Sequence, residues 1–102
     1  MRFFIYLTFN GAAYNGWQIQ PDKPSVQQTL ERALSLYTGE KIAVTGAGRT
    51  DSGVHAIDYV AHFDSEYPLS DGEPQRHIYK LNAILPHDIA VSKIVRVNDN
   101  AH

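Results

Sequence analysis

At the start of the chain Phe3, Ile5, Leu7 and Phe9 alternate with Arg2, Phe4, Tyr6 and Thr8. A period of two puts the first set on one face of a strand and the second set on the other. The second face is not fully polar, because Phe4 and Tyr6 lie on it. Both faces of this strand, over residues 2–10, are therefore expected to pack against something, and the rest of the chain has to supply it.

The remaining elements follow in a clear order. Residues 10–24 hold Gly11, Gly16, Pro21 and Pro24 together with Tyr14 and Trp17, which marks a loop. It is longer than most connections, a length that tends to carry function. Ser25 and Gln28 are spaced as a capping box. Val26, Leu30, Ala33, Leu34 and Tyr37 then recur at helical spacing up to Gly39, a natural stop, so a helix is expected over 26–38. Lys41 to Thr45 reads as a short strand, and Ile57 to Asp64 as another with Tyr59, Ala61 and Phe63 on one face. Residues 65–74 read as a loop in which Asp71 is the expected N-cap of a second helix, from about Glu73 to Ala83, ended by Pro86. His87 to Val97 is the last strand; its alternation breaks near Lys93, which predicts a bulge. The order β-α-β-β-α-β is that of an α+β, ferredoxin-like sandwich. Two helices would cover one face of a four-stranded antiparallel sheet and leave the other face for a partner.

A chain of 102 residues is one domain by length. With 43% apolar and 20% charged residues it reads as globular, not disordered. It has no cysteine, so disulfides and thiolate metal sites are excluded, and a reducing cytoplasm is the expected compartment. Its apolar runs are far too short for a membrane helix, and Met1-Arg2 leads straight into a strand rather than a signal peptide. The net charge of −2 sits awkwardly with a nucleic-acid partner, which favours a basic face. Either charge is segregated locally or the basic surface lies elsewhere.

Between the two middle strands runs Gly46-Ala47-Gly48-Arg49-Thr50-Asp51-Ser52-Gly53-Val54-His55-Ala56. Glycines this dense let the backbone turn tightly and approach closely, and loops on a rigid scaffold are where chemistry concentrates. On spacing alone, the segment reads equally as a turn bearing a solvated Arg–Asp pair. A carboxylate in such a loop suits work as nucleophile, as base, or as the stabiliser of positive charge. Arg49, two residues earlier, would help keep Asp51 ionised. His55 reads either as a polar contact to a ligand or as a hydrogen-bonded structural residue. His55 and His62 have no third ligand nearby, so no metal site is expected.

This run, as G-R-T-D-x-G-V-H-A, resembles the signature of the tRNA pseudouridine synthases of the TruA type. Tyr14-Asn15-Gly16-Trp17-Gln18-Ile19-Gln20, Val26-Gln27, the stretch Val60 to Asp64 and the stretch Leu81 to Ile89 resemble further segments of that family. The chain departs from it at Ser52, where Ala is usual, and at Asp58 and Tyr59, where Gly and Gln are common. The resemblance implies that Asp51 is the catalytic carboxylate and that Arg49 enters the RNA helix as the target uridine leaves it, with charge support for Asp51 secondary. It also points to Thr50, His55, Gln18 and Gln20 as substrate-side residues. Gln18 and Gln20 order the active-site loop, whereas Trp17 reads better as an aromatic closing the core than as a stacking platform. No cofactor and no metal is implied. The implied substrate is tRNA, isomerised at uridines 38 to 40 of the anticodon arm, and the implied full-length protein is a homodimer. Family members are considerably longer and continue into an aromatic that packs on the target base and a second similar domain. Residues 1–102 are thus expected to be the amino-terminal catalytic-Asp domain without its second domain, and inactive alone.

The main alternative is a non-catalytic, ferredoxin-like RNA-binding module. The recognition-motif type carries basic, glycine and aromatic residues on its third strand, and Ile57 to Asp64 lacks that run. A small-molecule regulatory domain would have no use for the Arg-Thr-Asp segment. An inactive scaffold half is at odds with an intact Arg49 and Asp51.

Overall fold

The computed structural model describes residues 1–10, 25–46, 56–69 and 72–100. Six elements follow in the order β1 (Arg2–Phe9), α1 (Val26–Thr38), β2 (Val44–Gly46), β3 (Ala56–Asp64), α2 (Pro74–Ile84) and β4 (Ile89–Val97). The four strands form one sheet in the order β2-β3-β1-β4, with every neighbouring pair antiparallel. This is the α+β, ferredoxin-like arrangement expected from the element order.

The alternation in β1 sets the layers. Phe3, Ile5, Leu7 and Phe9 are buried, and their neighbours Arg2, Phe4, Tyr6 and Thr8 are half-buried. The buried set joins one core with Val26, Leu30, Ala33 and Leu34 of α1, Ile78 and Leu81 of α2, and Ala61 and Phe63 of β3. Phe3 stacks on Phe63 with ring centroids 5.6 Å apart. Burying a side chain of this size contributes about 1.5–3 kcal/mol, so this one face holds the helices to the sheet.

Helix α1 begins and ends where its residues require. Ser25 is extended and buried, and its hydroxyl accepts the Gln28 amide at 3.0 Å. Gly39 closes the helix with φ 75, a left-handed cap that glycine adopts without strain, and donates its N–H to Ser35 O. Helix α2 differs from the expectation at its start. Its N-cap is Glu73, with no side-chain cap, and Pro74 takes the first turn, where a missing N–H costs nothing. Asp71, the expected cap, lies outside the described residues. Helix α2 runs to Ile84 rather than Ala83, and Leu85 adopts an extended backbone ahead of Pro86, as a residue before proline prefers.

Strand limits moved by small amounts. Strand β1 ends at Phe9, and the Asn10 amide donates to Asp88 O at 2.9 Å. Strand β2 was expected over Lys41 to Thr45 but pairs only from Val44 to Gly46. Ile42 is buried, yet its amide goes to the Ser35 hydroxyl of α1 at 3.0 Å rather than to a strand. Strand β4 begins at Ile89 rather than His87. The bulge expected near Lys93 is present. Tyr6 pairs with Lys93 and Leu7 with Val91, so Ser92 is the extra residue, and its hydroxyl donates to Tyr6 O at 3.2 Å.

A second irregularity lies in β3. Leu7 pairs with Tyr59 but Phe9 pairs with Ala56, so two residues of β3 oppose Thr8. Asp58, one of those two, has φ 56, the one left-handed non-glycine among the described residues. One type of bulge carries a left-handed residue of this kind.

Candidate functional site

The positions singled out from the sequence, Asp51, Arg49, Thr50, His55, Gln18 and Gln20, lie outside the described residues, as does Trp17. What the fold establishes is where the segments carrying them leave the sheet. Residues 47–55 connect Gly46, the last residue of β2, to Ala56, the first of β3. Residues 11–24 follow Asn10, just past the end of β1, and Phe9 of β1 pairs with Ala56 of β3. Both segments therefore depart from the same end of the sheet. The first turn of α1 lies at that end too, because Gln27 reaches Val44 whereas Ser35 reaches Ile42. The topology thus puts Asn10, Gly46, Ala56 and the start of α1, the described residues that flank 11–24 and 47–55, at one end of the fold. The left-handed Asp58 sits two residues after Ala56, the first residue of β3.

The framework around this end is well fixed. Gln27 Nε2 donates to Val44 O at 2.9 Å, and the Val44 amide donates to Glu31 Oε2 at 2.8 Å. On the opposite edge of the sheet Asn82 of α2 does the same with one side chain. Its Nδ2 donates to Val91 O at 3.0 Å, and its Oδ1 accepts the Val91 amide at 2.8 Å. Sequence reasoning missed these polar anchors. The available signal was Gln27, Glu31 and Ser35 at intervals of four, a polar stripe running beside the buried one.

The face of the sheet away from the helices carries Phe4 and Tyr6 of β1, Val60 and His62 of β3, and Val95 of β4, all half-buried. The His62 ring lies 6.4 Å from that of Phe4, and Lys93 Nζ lies 5.6 Å from the centre of the Tyr6 ring, over its electron-rich face. At the far end Arg2 grips Asp64 through two hydrogen bonds, Nε to Oδ1 at 2.9 Å and Nη2 to Oδ2 at 3.1 Å. The Arg2 hydrogen bond holds the Asp64 carboxyl below its ordinary value.

Further from the candidate site, Glu40 organises the turn after β3. Its carboxylate accepts the Ser65 hydroxyl at 2.8 Å and the amides of Glu66 and Tyr67 at 3.2 Å. The Ser65 hydroxyl, and then the Glu66 amide, lower the Glu40 pKa. Tyr67, Tyr37 and His77 pack there as a cluster of rings, with the Tyr37 hydroxyl 2.5 Å from His77 Nδ1. Burial raises the Tyr37 pKa. Among the described residues no three His, Asp or Glu side chains are grouped to hold a metal ion, and no helix is long and apolar enough to cross a membrane.

A four-stranded antiparallel sheet with two helices defines the α+β, ferredoxin-like class, which many activities share. The comparisons with known proteins narrow that class. The chain is similar along nearly its whole length to proteins named tRNA pseudouridine synthase A. It is 50% identical over 101 residues to the one from Parabacteroides distasonis, matching 99% of this chain and 39% of the relative. Against the one from Bacteroides fragilis it is 49% identical over 104 residues, covering 99% and 39%. Against the more distant Lactobacillus helveticus protein it is 43% identical over 102 residues, covering 99% and 38%. The chain thus spans about two fifths of the length of the curated relatives it matches. No family model matches the chain.

Proposed function

We propose that residues 1–102 are the amino-terminal, catalytic-Asp domain of a tRNA pseudouridine synthase acting on uridines 38 to 40 of the anticodon arm. The observation that supports this reading most is similarity along 99% of the chain to proteins named tRNA pseudouridine synthase A, with the Arg-Thr-Asp segment intact. The reaction is an isomerisation. The C1′–N1 bond breaks, the uracil turns, C5 bonds to C1′, the C5 proton leaves to solvent and N1 takes up a proton. No redox partner, metal or cofactor enters that balance. Asp51 supplies the carboxylate, as nucleophile or as base at the sugar. Arg49 fills the space the flipped uridine leaves and hydrogen-bonds its former surroundings through its planar guanidinium. Thr50 and His55 contact the substrate, and Gln18 and Gln20 order the loop. The working compartment is the cytoplasm, where tRNA is modified.

The net charge of −2 supports a division of labour in which a further domain supplies most of the basic surface. In this reading the working protein is longer than the present chain and a homodimer, and these residues alone do not turn over. The half-buried face bearing Phe4, Tyr6 and Val60 faces that further domain. The test of the catalytic assignment is Asp51→Ala in the native-length protein. Tritium release from tRNA labelled at uridine C5 should fall to background while filter binding of the same tRNA persists. Turnover retained by the Ala variant would remove Asp51 from the chemistry.

A further inference from the structure

Strand β2 is an edge strand and pairs with β3 over only three residues, Val44 with Phe63, Thr45 with His62 and Gly46 with Ala61. Among the described residues no further strand meets its outward backbone groups, and such an edge needs something to cover it. Helix α1 does so with side chains. Gln27 Nε2 donates to Val44 O at 2.9 Å, Glu31 Oε2 accepts the Val44 amide at 2.8 Å, and Ser35 Oγ accepts the Ile42 amide at 3.0 Å. Gln27 Nε2 also lies 3.5 Å from Glu31 Oε2, so the two head groups orient each other. At Val44 the pair reproduces both halves of what a neighbouring strand would offer, one donor to the carbonyl and one acceptor for the amide. A residue gripped in both directions is fixed along the strand as well as across it. Two residues later comes Gly46, and the segment carrying Arg49 and Asp51 begins at the next position.

We infer that Gln27 and Glu31 are positioning residues for the catalytic segment, holding the strand end from which it departs. The inference rests on the reading of Asp51 as the catalytic carboxylate. The alternative is that the pair only fills the backbone valences of an edge strand. That role would change stability and leave chemistry in the folded fraction untouched. A displacement of about an ångström at a catalytic group costs on the order of a hundredfold in rate, so the two roles separate in kinetics.

The experiment uses the native-length protein with unmodified tRNA. Gln27→Glu keeps shape but sets a second carboxylate against Val44 O and Glu31, and Glu31→Ala removes the acceptor. Both should lower kcat by at least about tenfold through misplacement, with the KM for tRNA held within about twofold. The Val44 amide should exchange faster in both, while amides in the β1–β3 ladder stay protected. Glu31→Gln retains an acceptor oxygen and should keep kcat within about threefold of the parent. If Gln27→Glu fails to fold, Gln27→Met removes the donor with little change in volume and carries the same expectation. Unchanged kcat in variants whose Val44 amide exchanges faster would overturn the inference, as would a fall in kcat no larger than the loss of folded protein. Asp51→Ala is run beside them. Turnover in that variant overturns the catalytic reading itself, whereas an inactive Asp51→Ala with fully active Gln27 and Glu31 variants overturns the positioning role alone.

Discussion

Replacing Asp58 by glycine should stabilise the chain, and replacing it by alanine should not. Asp58 is exposed and has φ 56, at the point where two residues of β3 oppose one of β1. A left-handed backbone costs an L-residue about 1–2 kcal/mol, of which aspartate recovers part through local hydrogen bonding. Glycine removes the steric term altogether but loses more freedom on folding, about 0.5–1 kcal/mol. The balance is a gain of about 0.5 kcal/mol for Asp58→Gly. Alanine keeps the Cβ and loses the local hydrogen bonding, so it should fall below the parent, leaving glycine and alanine about 1 kcal/mol apart. For a chain of this size that gap corresponds to roughly 4–8 °C in Tm. Urea unfolding of the three proteins, with the m value unchanged, measures it directly. Alanine matching or exceeding glycine would refute the argument, because no left-handed residue would then be needed at the bulge. The same argument gives a physical reason why glycine suits this position in the family the chain resembles.

Three further outcomes follow from the structure and the proposed chemistry. The Glu40 carboxyl is held below its ordinary value by Ser65 and the Glu66 amide, so its contribution to stability is present above the unfolded carboxyl pKa of about 4.3 and is lost as pH falls through the lower folded value; Glu40→Gln should be less stable than the parent at pH 6, with the difference shrinking toward pH 3 in paired urea titrations, and a difference that stays constant would count against the assignment. Arg49→Lys keeps the charge and loses the planar fork, so if Arg49 works by stacking and hydrogen bonding its turnover should be nearly as low as that of Arg49→Ala, and near-parental turnover would leave charge as the whole of its role. The 102-residue chain alone, in excess over tRNA, should bind weakly and salt-sensitively and form no pseudouridine in a single turnover; product at the anticodon arm would show that these residues suffice.

Some of this architecture was readable from local pattern because one physical cause dominated each element. Burial of one face gave β1 its strict alternation, Ser25 and Gly39 fixed both ends of α1, and the phase change from Val91 to Ile94 exposed the bulge in β4. Other features were hidden because two causes give the same pattern. Lys41 to Thr45 alternates like a strand in sequence, but Ile42 bonds to a helix side chain, and residue type does not distinguish the two. The bulge at Asp58 left Tyr59, Ala61 and Phe63 in phase, so nothing in the alternation betrayed it. Gln27 and Glu31 lie on a polar stripe of α1, and such a stripe looks the same in sequence whether it meets water or a strand edge. The candidate site was legible as a motif, and the fold adds that Asn10, Gly46 and Ala56, which flank residues 11–24 and 47–55, lie at one end of the sheet.

The central claim is that this chain brings the carboxylate that isomerises uridine in the anticodon arm of tRNA. The most direct measurement maps pseudouridine, by carbodiimide modification and primer extension, in tRNA from cells lacking the gene and from the same cells given back the parental protein or Asp51→Ala. The account predicts that pseudouridine at positions 38 to 40 disappears on deletion, returns with the parental protein and does not return with Asp51→Ala. Pseudouridine at those positions in the deleted cells, or its return with the Ala variant, would contradict it.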